Sequence, residues 1–211
     1  MDEVLPGVLH WTTFHEGIGQ PVHSHFYVEG GALFDPRVPE LGGIDEVARH
    51  GRPEVVLLSN RHHLRHAACF AERFDCTIKA HRAGLHAFDG ADEPDVVPFD
   101  FGDRVAPGVT ALEVGALTPE DTAFHIAAGP GVLLFADGVI RGEDGALAYV
   151  PDGLMGDDPD AVRHGLTTAL RALLDRDDFD ALLFAHGAPV AGGGREQLAT
   201  LVEAQERAAT P

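Results

Sequence analysis

Four short apolar runs recur along the chain, each bounded by Gly or a turn residue and each closing on a polar side chain. They are Gly31 to Asp35, Val55 to Asn60, Val132 to Asp137 and Ala181 to His186. Apolarity that is continuous rather than alternating suits strands covered on both faces, and the flanking Gly and Pro favour strand over helix. Further strands are expected at Pro21 to Glu29, Thr77 to Ala80, Thr110 to Val114 and Thr122 to Ala127. The last two are joined by a turn through Thr118, Pro119, Glu120 and Asp121, and they read as neighbours in a meander.

Helical periodicity is clearest from Asp160 to Arg176, where Val162, Leu166, Leu170 and Leu173 share a face behind a cap at Asp158 and a first-turn Pro159. A second helix is expected from Arg195 to about Ala208, with Leu198, Leu201 and Val202 inward. Shorter ones are expected at Ile44 to His50 and at about Leu64 to Phe74. Gly192, Gly193 and Gly194 lack a following Lys-Ser/Thr and read as a flexible lead into the last helix, not as a phosphate loop. In layered α/β folds, ligands sit beyond the carboxyl ends of strands, and that is where the terminal polar residues of the four runs gather.

Composition narrows the partners. The 211 residues, 45% hydrophobic, suffice for one core, and we read a single domain over 1–211. The 34 acidic against 15 basic residues give a net charge of −19, which opposes attraction to phosphate backbones and anionic lipid. We therefore expect no nucleic acid and no membrane partner. Cys69 and Cys76 are too few for a disulfide framework, and residues 1–7 lack a basic and apolar leader, so a cytoplasmic, acidic, unprocessed protein is expected.

The candidate chemistry lies in Asn60-Arg61-His62-His63-Leu64-Arg65-His66, directly after an apolar run. Divalent metals take imidazoles and carboxylates converging from different elements. His63 and His66, three residues apart, would share one side of a helix's first turn. Asp137 and His186 each end an expected strand. His63, His66, Asp137 and His186 thus form the candidate metal set. His23 and His25 alternate on an expected strand, point to one face and are candidate additional site residues. Asp35 reads as a structural acceptor, and residues 150–158 as a pocket wall or lid.

The order of these segments resembles the metallo-β-lactamase superfamily. Gly30 to Pro36 is similar to its early strand ending in Asp, and Val55 to His66 to the strand and loop of its His-x-His-x-Asp-His motif. Thr118-Pro119 is similar to the segment around the next ligand histidine, Leu133 to Asp137 to the strand ending in the bridging aspartate, and His186-Gly187 to the last ligand histidine. The resemblance covers nearly the whole chain. It implies a four-layer αββα sandwich of two mixed sheets flanked by helices, with hydrolytic chemistry at the strand ends.

Three positions depart from the motif. Arg61 stands where the first histidine belongs, Arg65 where the aspartate belongs, and Ala116 where the following ligand histidine belongs. A guanidinium has donors only and cannot ligate a metal. The resemblance then implies a degenerate site of at most one divalent ion (zinc, iron or manganese) on His66, Asp137 and His186 with His63 nearby. A divalent ion about 5 Å from an inward arginine would be repelled by roughly 7 kcal/mol at an effective dielectric near 20. Structural zinc binding is worth about 10–16 kcal/mol, so the direction of Arg61 and Arg65 decides the outcome.

With the arginines outward, the resemblance implies a metal-dependent hydrolase of an ester, thioester or lactone, a small-molecule substrate in each case. With them inward, it implies a non-catalytic, metal-free protein that binds a small anion through Arg61 and Arg65 or serves as an oligomeric scaffold. A homo-oligomer is compatible with either.

Overall fold

In the computed structural model, which describes residues 1–91, 93–176 and 178–209, two β-sheets face each other with helices on both outer sides. The first sheet begins with β1 (Asp2–Leu5), β2 (Val8–His15), β3 (Gln20–Tyr27) and β4 (Ala32–Phe34), paired antiparallel in succession. It continues through β5 (Val55–Leu58), β6 (Thr77–His81) and β7 (Val96–Phe99), each parallel to its predecessor. Helices α1 (Ile44–Ala48) and α2 (Ala67–Phe74) supply the crossovers either side of β5. In the second sheet, β8 (Arg104–Ala106), β9 (Val109–Glu113), β10 (Thr122–Ile126) and β11 (Val132–Phe135) form a meander. The ribbon of β12 (Val139–Arg141) and β13 (Leu147–Tyr149) and helix α3 (Pro159–Arg176) lead into β14 (Ala181–Phe184), which returns parallel to β11. Helix α4 (Gly194–Ala208) follows.

Strand alternation sorts the side chains into three apolar layers. Val55 and Leu57 of β5 meet Val132 and Leu134 of β11 and Leu183 of β14 between the sheets. Val56 and Leu58 pack on Phe70 and Phe74 of α2, while Leu133, Phe135, Leu182 and Phe184 pack on Leu166, Leu170, Leu198 and Val202 of α3 and α4. Strands covered on both faces explain why these runs are apolar throughout. The result is the expected αββα sandwich of two mixed sheets.

Several elements were not expected from the sequence. β1 and β2 form the outer edge of the first sheet, and β7, β8, β12 and β13 are short pieces of three or four residues. Helix α2 starts at Ala67, three residues later than expected, because Arg65 takes a left-handed backbone (φ 43°) and His66 occupies the N-cap. That shift separates His63 from His66. Residues 152–154 form a short 3-10 turn in which Leu154 is exposed, while Met155 joins the core against α3. Among the described residues, no helix is long and apolar enough to cross a membrane.

Candidate metal centre

The carboxyl ends of β5, β11 and β14 bring three side chains to one point: His63 from the loop after β5, Asp137 two residues after β11, and His186 two residues after β14. One ligating atom from each lies within 4.8 Å of the others. His63 Nε2 and His186 Nε2 both stand 3.1 Å from Asp137 Oδ1. That oxygen is buried yet receives a directed hydrogen bond from neither ring. Two imidazole nitrogens closing on one buried carboxylate oxygen form ion contacts when the rings are protonated and a set of converging lone pairs when they are not. Ligand atoms around a tetrahedral zinc with bonds of about 2.0–2.1 Å lie roughly 3.3 Å apart, close to the spacing seen here. Two imidazoles and one carboxylate suit zinc, iron or manganese, so the residues fit a single divalent ion.

A second set of contacts fixes these donors. Asp35, at the end of β4 and almost wholly buried, accepts from the Ser59 backbone N–H (2.8 Å), from Ser59 Oγ and from His63 Nδ1 (3.0 Å). A carboxylate can only accept, so His63 carries its proton on Nδ1 and turns Nε2 toward Asp137, the carboxylate-histidine pairing that orients metal ligands. The Asn60 side-chain amide donates to Asp137 Oδ2 at 2.7 Å, leaving Oδ1 directed at the imidazoles. Asp35→Asn is expected to lower zinc affinity about 10–100-fold by releasing His63. Calorimetric titration checks it, and unchanged affinity would show that Asp35 serves only the fold.

The electrostatics follow from burial and crowding. Burial disfavours charge on His63, but Asp137 and Asp35 outweigh it and raise the imidazole pKa to about 9. Burial likewise pushes Asp35 and Asp137 upward, and the neighbouring His63 charge reverses this, holding Asp35 below and Asp137 well below the ordinary carboxylate range. Asp121, fully buried beside Asp137, is raised well above that range by burial first and the Asp137 charge second, with the His63 charge opposing. Without metal, protonated His63 therefore acts as the local cation between two carboxylates, and a metal ion must displace its proton.

The remaining expected residues fall elsewhere. His66 is outside the three-residue cluster: its Nδ1 accepts from the Val38 backbone N–H at 3.0 Å, because the late start of α2 turns the ring toward the segment after β4. Arg61 pairs with the buried Glu120 carboxylate. Arg65 turns inward, the direction expected of a metal-free site, but its guanidinium is directed at backbone and not at the three donors: Nη1 donates to the carbonyls of His23 and Asp35, both at 2.8 Å. His23 and His25 do share a face, but they stack with His10 instead of joining the cluster. His10 Nε2 and His23 Nδ1 are 2.7 Å apart, and His25 Nε2 donates to the Phe184 carbonyl at 2.9 Å. Ala116, at the missing ligand position, packs against the helical side of the second sheet. Sequence reasoning gave Asp35 a structural role and passed over Asn60. The available signal for both was their position as polar residues closing apolar runs.

No family model and no curated protein matches the sequence. Solved structures do resemble the fold. A metallo-β-lactamase family protein from Thermus thermophilus superposes with a TM-score of 0.67 at 16% identity, over 98% of this chain and 81% of that one. A HARLDQ motif mutant of a metallo-β-lactamase from Cronobacter sakazakii gives 0.63 at 17% identity, over 98% and 94%. A protein solved in a di-iron-bound form gives 0.57 at 23% identity, over 89% and 90%. The chain therefore has the metallo-β-lactamase fold. Within it, the cluster that can hold a metal is reduced to three residues.

Proposed function

We propose that this chain is a metal-dependent hydrolase working with one divalent ion held by His63, Asp137 and His186, on a small-molecule ester, thioester or lactone. The observation that carries the reading is the convergence of His63 Nε2 and His186 Nε2, each at 3.1 Å, on the buried Asp137 Oδ1. A divalent ion bound there would supply Lewis-acid polarisation of a carbonyl and activation of water near neutral pH. The chain's own residues do the rest: Asp35 sets the His63 tautomer, Asn60 holds Asp137, and buried Asp121 keeps a carboxyl group beside the donor set. The similar protein solved with two irons supports the reading at the level of fold. The donor set of this chain supports a single ion.

The test is elemental analysis of protein purified without chelating resin, joined to hydrolysis assays on ester, thioester and lactone panels. Near-stoichiometric metal with metal-dependent turnover is expected, and no metal uptake even after soaking would sink the reading. A second reading is favoured by one observation. Protonated His63 already lies between Asp35 and Asp137, so the site has an internal cation and suits a metal-free, non-catalytic protein of the same fold. Arg61 and Arg65 direct donors to Glu120 and to backbone carbonyls, which speaks against that protein taking an anion through them.

A further inference from the structure

The three donors come from opposite sheets, His63 from the first and Asp137 and His186 from the second. Their spacing therefore depends on how the two sheets register at this rim. The apolar layer between the sheets supplies cohesion without direction, so polar links must set the register. Asn60 makes one such link, accepting from the His62 N–H and donating to Asp137, and Arg65 makes a second that touches neighbours of a donor in both sheets. Arg65 Nη1 donates at 2.8 Å to the carbonyl of Asp35, the residue that holds His63 Nδ1, and at 2.8 Å to the carbonyl of His23. Its Nη2 approaches the carbonyl of Ala185, the residue before His186, at 3.5 Å. The His23 backbone N–H donates to that same Ala185 carbonyl at 3.0 Å, closing the link between β3 and the end of β14.

We infer that Arg65 is a positioning residue of the metal site, beside Asp35 and Asn60: a guanidinium that replaces a ligand of the family motif with a clamp holding the imidazoles of His63 and His186 at ligating distance. The inference rests on the metal-binding reading above. Two further observations support it. Arg65 holds a left-handed backbone (φ 43°), which a residue with a side chain rarely adopts unless its contacts enforce it. The planar fork of five donors can serve several carbonyls at once, whereas a lysine ammonium is a single point on a flexible stem.

Electrostatics and positioning predict opposite results. A cation near a divalent ion weakens its binding, so if repulsion were the main effect, Arg65→Met would bind metal more tightly. If the clamp prevails, Arg65→Met, which keeps much of the stem and loses every donor, binds zinc at least about tenfold more weakly, in the range seen when supporting contacts of metal ligands are removed. Arg65→Lys keeps the charge and also falls short of wild type.

The experiment is calorimetric zinc titration of wild type, Arg65→Met and Arg65→Lys, with amide hydrogen exchange on the metal-free proteins. Weaker zinc binding by both variants, with faster exchange at the His23 amide and unchanged exchange in β5 and β11, is the expected result. Equal or tighter binding by Arg65→Met overturns the inference. If that variant does not fold, wild-type affinity in Arg65→Lys overturns it instead. Should wild type itself bind no zinc, the metal reading fails separately, while the exchange measurement still tests the clamp: an unchanged His23 amide rejects it.

Discussion

Asp137→Asn protein is expected to bind zinc at least about a hundredfold more weakly than wild type, with its fold intact. Loss of supporting contacts alone costs metal sites about 10–100-fold, and Asp137 is the only carboxylate in the donor set and the atom on which both imidazoles converge. A hundredfold loss corresponds to about 2.7 kcal/mol. Asparagine keeps the shape and can still meet the Asn60 amide through its carbonyl oxygen, but it removes the charge that favours a cation over two neutral rings. Zinc calorimetry and circular dichroism of the same sample test this. Wild-type affinity in Asp137→Asn would place the metal elsewhere, and with it any chemistry assigned to this rim.

The strength of this prediction comes from the part of the site that sequence pattern reaches well. Asp137 and His186 close continuous apolar runs, and such runs mark buried strands whose carboxyl ends form the rim. The third donor was harder to assign. Spacing alone puts His63 and His66 on one face of a helix, provided that the helix begins at Leu64. The backbone instead turns left-handed at Arg65, and the helix begins at Ala67. The cause is tertiary: guanidinium bonds to carbonyls of His23 and Asp35, 42 and 30 residues earlier, which no local propensity encodes. Asp35 could be recognised as an acceptor, but its partner His63 is 28 residues away and emerges only when β4 and β5 lie side by side.

The missed strands have a related explanation. β2 carries polar residues at His10, Thr12 and Thr13 among apolar ones, so it lacks the continuous run that marked the central strands. His10 and Thr12 share a face over β3, and His10 is almost buried there while Thr12, farther along the strand, is exposed. A histidine inside is recognisable only once a second one opposes it, and here the strand register pairs His10 with His25 and Thr12 with His23. His23 and His25, the additional site candidates of the sequence, thus form a layer with His10, and that layer has a thermodynamic consequence.

Metal-free protein is expected to lose stability as pH falls from 6.5 to about 4.5. Burial above all, with Asp2 opposing it, lowers His10 to a pKa of about 4, and burial followed by the charges of His10 and His186 lowers His23 to about 3. His25 is driven well below its ordinary value by burial and by His10. The folded state resists protons that the unfolded chain binds near pH 6.5, so this contribution is fully present above pH 6.5 and is lost as pH falls toward the folded values. Each such histidine costs about 1.4 kcal/mol per pH unit in that window, so His10 and His23 together remove roughly 5 kcal/mol over two units, comparable with the whole stability of a small domain. The lowered carboxylates Asp35 and Asp137 act at lower pH, below the ordinary value of 3.8, whereas the raised His63 and Asp121 gain stability as pH falls, so the net loss is smaller than the two-histidine sum. Urea unfolding in the presence of a chelator at pH 7 and pH 5 measures it. Equal stability at the two values would mean that the histidine layer takes up protons freely in the folded state, against the burial of His10 and His23.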